Sequence, residues 1–186
     1  MKIMPGGSSK WTAKVVLLGC SGCGKSSLVR QINREPFRRD TAPTVGVDVA
    51  FVDVGEDTRA CVWDTAGQER FHSISASYLR DTYLVILCYD CGDRNTFRAM
   101  EAWARIVPEG SRRAVLGCKA DLQRACGDVP EGLGEDWGTC SAQLGKCEWV
   151  ERLRADLRED RQHERPGWTH RESEVVVPRT PSKCCQ

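Results

Sequence analysis

Eight consecutive residues, Gly19-Cys20-Ser21-Gly22-Cys23-Gly24-Lys25-Ser26, carry the most specific chemistry in the sequence. They fit the pattern glycine, any four residues, glycine, lysine, serine or threonine, which cradles nucleotide phosphates. The residue types follow from that task. Glycines let the backbone fold so that successive N–H groups point at a β-phosphate with no Cβ in the way. Lys25 supplies a point charge to the β- and γ-oxygens, and the Ser26 hydroxyl is a ligand for Mg²⁺. A helix starting near Lys25 adds the positive end of its dipole. Gly19, Ser21, Gly22, Cys23, Gly24, Lys25, Ser26 and Ser27 are therefore the candidate phosphate-contacting residues.

The flanking elements suit this loop. Lys14-Val15-Val16-Leu17-Leu18 is a short apolar run that reads as a strand buried on both faces. After the glycines, Leu28, Val29 and Ile32 recur at helical spacing. Val45 to Val54 and Arg59 to Trp63 predict two strands joined at Gly55-Glu56-Asp57. Tyr83 to Tyr89 is the most apolar run and suits a central parallel strand. Phe97, Met100, Trp103, Ala104 and Val107 then keep helical spacing up to Pro108. Ala114 to Gly117 is another strand, and Trp149 through Leu153 to Leu157 the last clear helix. Alternating strands and helices predict an α/β fold: a six-stranded, mostly parallel sheet with helices on both faces and one antiparallel edge. The expected layout is a flexible N-terminus over 1–10, one domain over 11–159 and a flexible tail over 160–186, interrupted by Pro166, Gly167, Pro178 and Pro181.

Composition narrows the function. There are 27 Lys+Arg against 26 Asp+Glu, a formal charge of +1, so no bulk attraction to nucleic acid is expected. No apolar run approaches the ~18–20 residues that cross a bilayer. The first ten residues lack the apolar core of a secretory signal, and Lys2 excludes N-myristoylation. A cytosolic protein with reduced thiols is expected, although the chain holds eleven cysteines.

Downstream lie Pro43-Thr44-Val45-Gly46-Val47-Asp48 and Trp63-Asp64-Thr65-Ala66-Gly67-Gln68-Glu69-Arg70-Phe71. Together with the phosphate loop, Tyr78-Leu79-Arg80 and Leu87-Cys88-Tyr89-Asp90, they make the chain resemble the Rab family of Ras-superfamily small GTPases from about Thr12 to Leu157. The resemblance implies a small G-domain and a GTP/GDP switch. Thr44 would close over Mg²⁺ and the γ-phosphate, Asp64 would bind Mg²⁺ through water, and the Gly67 amide would sense the γ-phosphate. Gln68 would orient the attacking water, and Phe37 would lie against the base. With no identifiable arginine in cis, turnover is expected on the order of 10⁻⁴ per second without an activating partner. Effector, exchange-factor and GTPase-activating proteins would bind through the two switches.

The base-reading motif departs from the family's Asn-Lys-x-Asp: it is Cys118-Lys119-Ala120-Asp121. Asp121 keeps the carboxylate that accepts two hydrogen bonds from guanine, and Lys119 can still lay its aliphatic stem along the base. A thiol donates weakly and cannot replace the amide that bonds both base and phosphate loop. The cost is about 1–3 kcal/mol, or ~5- to 150-fold in affinity. The next base motif, usually Ser-Ala-Lys, is Ser141-Ala142-Gln143. Between Asp121 and Ser141 the segment is short for the family and holds Gly127, Gly132, Gly134 and Gly138, so the peripheral helix there should reduce to a turn. The effector aromatics of the family fall on Val49, Trp63 and Tyr78, the first reduced to an aliphatic.

Cys20-x₂-Cys23 and Cys88-x₂-Cys91 read as core cysteines, with a Cys₄ zinc site as the alternative. A thiol at a helix N-terminus has a lowered pKa, which marks Cys20 or Cys23 for oxidation once nucleotide leaves. Cys184-Cys185-Gln186 resembles the two-cysteine endings that Rab proteins carry for geranylgeranylation, implying contact with the prenylation machinery and anchoring to the cytosolic face of an intracellular membrane. Two chains suffice for stable anchoring. Charge does not help, because Arg158 to Lys183 holds six Lys/Arg against five Asp/Glu. The competing class is a degenerate, membrane-tethered adaptor that binds nucleotide weakly or not at all.

Overall fold

Successive residues of the central strands disappear into opposite sides of one sheet. In the computed structural model, which describes residues 11–39, 42–44, 46–66, 78–123, 125–145 and 148–162, β1 (Trp11–Leu18) sends Val15 and Leu17 to one core and Val16 and Leu18 to the other. β4 (Leu84–Asp90) does the same with Leu84, Ile86 and Cys88 against Val85, Leu87 and Tyr89. That is the two-residue period of a strand covered on both faces. Each such Leu, Ile or Val contributes about 1.5–3 kcal/mol by leaving water.

The sheet has six strands in the order β2-β3-β1-β4-β5-β6. β2 (Val47–Asp53) runs antiparallel to β3 (Thr58–Thr65), and every other pair is parallel. As an edge strand, β2 alternates: Ala50 and Val52 point inward, while Phe51 lies outside under the Arg59 guanidinium at 4.6 Å. The hairpin is shorter in β2 and longer in β3 than the sequence predicts. α1 (Lys25–Ile32) and α4 (Glu148–Gln162) cover one face with Leu28, Val29, Trp149, Val150, Leu153 and Leu157.

On the other face the single predicted helix is two short ones, α2 (Arg94–Arg98) and α3 (Met100–Arg105), meeting at Ala99. Asp93 caps the first by accepting from Asn95 N at 2.8 Å. Met100, Trp103, Ala104 and Val107 still meet the sheet as their spacing predicts. β5 (Arg113–Cys118) is followed by irregular chain and turns; among the described residues between Asp121 and β6 (Glu135–Thr139) there is no helix. β6 runs parallel to β5, with an irregular register opposite Val115 and Gly117.

α4 continues past the expected boundary at 159 to Gln162, and Asp160 is in it rather than in the tail. The reason is a polar cluster. Arg112 donates through Nη1 to Asp160 at 2.9 Å and to Tyr83 Oη at 2.7 Å, and through Nη2 to Asp156 at 2.7 Å. Tyr83 Oη also donates to Asp160. Asp156 and Asp160 are buried, whereas the Arg112 side chain is about a third exposed at 34%. Burial pushes the Asp156 carboxyl above its usual range, partly offset by the Arg112 charge.

Removing Arg112 would take the shared cation from two buried carboxylates, leaving Asp156 the longer Arg152 contact at 3.5 Å. Arg112→Ala should therefore lower unfolding free energy by about 2–3 kcal/mol, less than a fully buried pair because of its exposure. Denaturant melts measure this, and a change under ~0.5 kcal/mol would contradict the structural role given to the cluster.

Candidate nucleotide-binding site

Loops at the carboxyl ends of the strands shape a cavity of about 810 Å³. The phosphate loop forms its floor between β1 and α1. Gly19 sits at φ +146°, and a Cβ there would lie 2.2 Å from the Cys88 carbonyl oxygen of the neighbouring strand. Gly24, at φ +121°, leaves room for Cys118, whose Cβ a side chain would meet at 2.9 Å. No larger residue fits either place. No side chain caps the start of α1, and the positive end of its dipole favours an anion there.

Lys25 is buried, 4% exposed. Its ammonium donates to the Gly19 carbonyl at 2.8 Å and the Cys20 carbonyl at 2.9 Å. A buried cation on neutral carbonyls is a ready partner for phosphate oxygens. Beside it, Ser26 Oγ and Thr44 Oγ1 lie 2.7 Å apart, and Thr44 Oγ1 donates to Asp64 Oδ2 at 3.3 Å. Asp64 Oδ1 is buried with no partner. Burial pushes the Asp64 carboxyl above its ordinary range, against the hydrogen bonds of Ser26 and Thr44 and the charge of Lys25. Two hydroxyls and a carboxylate with an unused oxygen are a hard donor set, and they fit Mg²⁺.

Ser21, Gly22, Ser27, Phe37, Lys119, Asp121, Ala142 and Gln143 line the same cavity, with Cys118 at its base. Phe37, Leu122 and Leu144 are exposed apolar side chains around it, suited to the faces of a base. Asp121 Oδ1 accepts from Ser141 Oγ at 2.5 Å, and Ser141 Oγ accepts from Leu144 N at 3.1 Å. Thus Ser141 orients the carboxylate from behind. Lys119 Nζ is paired with Asp90 Oδ2 at 2.7 Å, which holds the lysine stem over the floor. Asp90, Leu122 and Leu144 were not anticipated as site residues. Asp90 ends β4, at the strand edge where α/β sheets bind ligands, and that position was its one available signal.

Cys118 lies among other thiols. Hydrogen bonds donated by Cys140 and then Cys88 hold it well below the usual thiol range. Cys23, close to Lys25 Nζ at 3.8 Å, is instead pushed up to about 12 by burial. Burial thus works against the activation expected of Cys23 at the helix N-terminus and outweighs the Lys25 charge. Cys20 is half-buried, and Cys23, Cys88 and Cys91 are buried. Among the described residues no group of three or more His, Cys, Asp or Glu is placed to hold a metal ion. Cys23, Cys88 and Cys91 pack within the two cores, and Cys20 packs against one of them.

Val49 pairs with Trp63 across β2 and β3, and Tyr78 stacks obliquely on Trp63 at 6.0 Å. The Lys14 ammonium lies over the Trp63 ring at 4.6 Å. Gly67, Gln68, Cys184 and Cys185 lie outside the described residues.

A family model described as the Ras family matches residues 14–151. The chain belongs to the Ras family. Its relatives place it with the Rab proteins of that family, which are small GTPases. The Ras-related protein RABA6b of Arabidopsis thaliana is 48% identical over 93 residues, 48% of this chain and 41% of that protein. RABA6a of the same plant is 44% identical over 119 residues, 60% and 51% of the two chains. The Ras-related protein Rab-11A of Dictyostelium discoideum is 37% identical over 117 residues, 59% and 55%. The matched parts span only about half the length of these relatives.

Against the Ras-family pattern, the base side is the divergent part. Cys118→Asn supplies an amide beside Gly24 of the phosphate loop. It should tighten GDP binding by about 5- to 150-fold, read by titration calorimetry. Unchanged affinity would show that the thiol cluster already supports the loop as well as the amide does.

Proposed function

We propose that the chain is a Rab-type switch that binds GTP and GDP with Mg²⁺ and hydrolyses GTP to GDP and phosphate. The supporting observation is the meeting of Ser26, Thr44 and Asp64 beside the buried Lys25 ammonium. Three oxygen donors and one cation come from the phosphate loop, the segment before β2 and the end of β3. Mg²⁺ in such a site neutralises charge on the β- and γ-oxygens. Ser26, Thr44 and Asp64 would hold it.

Lys25 would exchange two carbonyl oxygens for charged phosphoryl oxygens, the stronger acceptors. Gln68 would orient a water in line with the γ-phosphorus. As the new P–O bond forms, the bond to the β–γ bridging oxygen breaks; the water's protons stay with the phosphate, which departs as dihydrogen phosphate, and GDP remains in the site until exchange. The Gly67 amide and Thr44 would contact the γ-phosphate only in the triphosphate state. Its loss would release both loops, which is how such a switch signals to effectors. Exchange and activating proteins would set its timing.

A second reading, a tethered adaptor with little nucleotide affinity, is favoured by Cys118 and by the absence of a helix among the described residues between Asp121 and β6. Single-turnover GTPase assays separate the two. Wild type should release phosphate on the order of 10⁻⁴ per second, and Gln68→Leu at least about tenfold more slowly. Equal rates for both would contradict the enzymatic reading.

Among the described residues no helix is long and apolar enough to cross a membrane. Lipid on Cys184 and Cys185 is the proposed anchor to the cytosolic face of an intracellular membrane, where the switch would act in vesicle trafficking. In a geranylgeranyl-transfer assay the wild-type chain should take up two lipids and Cys184→Ser/Cys185→Ser none. Undiminished uptake by the double variant would refute the anchor.

A further inference from the structure

A second, smaller cleft of about 310 Å³ adjoins the nucleotide cavity. The two share Ser27, Phe37, Arg38, Ala142 and Gln143, so they meet on the side assigned to the base and its sugar, away from Lys25 and Asp64. The far wall of the cleft is the C-terminal end of α1 and the turn after it. It carries Arg30, Arg34 and Arg38, with Glu35 as the one acidic lining residue.

The polar groups of this wall are under-used. Glu35 meets Arg30 Nε at 4.0 Å, the limit of an ion pair. Arg30 Nη1 is buried with no hydrogen-bond partner, and so are both amide atoms of Gln31. Leaving such atoms unpaired is costly. Neither Arg34 nor Arg38 has an ion-pair partner among the described residues. Arg34 also holds φ +59°, a left-handed conformation unusual for a side chain of its size, which turns the chain between α1 and Phe37.

We propose that this cleft is an anion subsite for a phosphate monoester, bound by Arg30, Arg34 and Arg38. Guanidinium forks match phosphate oxygens in pairs, and three positive charges against one carboxylate leave a net attraction. The opening toward Phe37 and Ala142 lets the same group arrive in two ways: on the sugar hydroxyl of a nucleotide seated next door, or as free phosphate. The first way rests on the guanine-nucleotide reading above, and the second does not.

Titration calorimetry of the full-length chain tests this with GDP, GDP carrying a 2′- or 3′-phosphate, and inorganic phosphate added to the GDP-loaded protein. The variants are Arg34→Asn, which removes the charge at a position where asparagine tolerates positive φ, and Arg30→Gln. Binding of a sugar-phosphorylated GDP at least about tenfold tighter than GDP, with the gain lost in Arg34→Asn, assigns the subsite to the nucleotide's own sugar. No such gain, but millimolar binding of inorganic phosphate that both variants abolish, assigns it to free phosphate. No gain and no phosphate binding, or a gain that both variants keep, overturns the subsite. Should GDP itself fail to bind, the function reading falls, while inorganic phosphate added to the unliganded chain still decides the cleft.

Discussion

The phosphate loop can lie against the sheet only because two of its residues have no side chain. A methyl group on Gly19 would overlap the Cys88 carbonyl oxygen at 2.2 Å, and one on Gly24 would crowd Cys118 at 2.9 Å. These two close approaches tie the loop to β4 and to the end of β5, the strand that leads into the base-reading segment. They also set the height at which Lys25 enters and buries its ammonium on the Gly19 and Cys20 carbonyls. Given that placement, Ser26 comes within reach of Thr44, and Thr44 within reach of Asp64, so the oxygen cluster depends on the glycines.

The base side is held by a different kind of interaction. Where its family uses an amide to tie base to loop, this chain uses packed thiols at the same junction: Cys118 beneath Gly24, with Cys88 and Cys140 as its hydrogen-bond donors. Such contacts fill space but give little direction, since sulfur is a weak donor and acceptor. Direction comes instead from ionic and hydroxyl contacts around it, Lys119 on Asp90 and Ser141 on Asp121. The arrangement holds the Asp121 carboxylate at the cavity wall without an amide beside Gly24.

What was legible in the sequence was whatever depends on neighbours along the chain. The alternation in β1 and β4, the helical spacing of Trp149, Leu153 and Leu157 and the glycine-lysine-serine loop are all local patterns, and each has its counterpart in the structure. The divergent, glycine-rich stretch before β6 was readable too, because glycine is a poor helix former. The failures are long-range. The last three residues of α4 look like charged tail until Arg112, distant in sequence, is seen to hold Asp160. The Lys119–Asp90 pair likewise joins two strand ends. Cys23 was misjudged because a helix dipole is visible in a sequence and burial to near zero exposure is not.

Native mass spectrometry of the purified chain, with magnesium present, addresses the central claim most directly. The account predicts a population carrying one GDP, lost when Lys25 is replaced by alanine and not replaced by ADP when both nucleotides are supplied. A chain that stays free of nucleotide at millimolar GDP, or that takes ADP equally well, would contradict it.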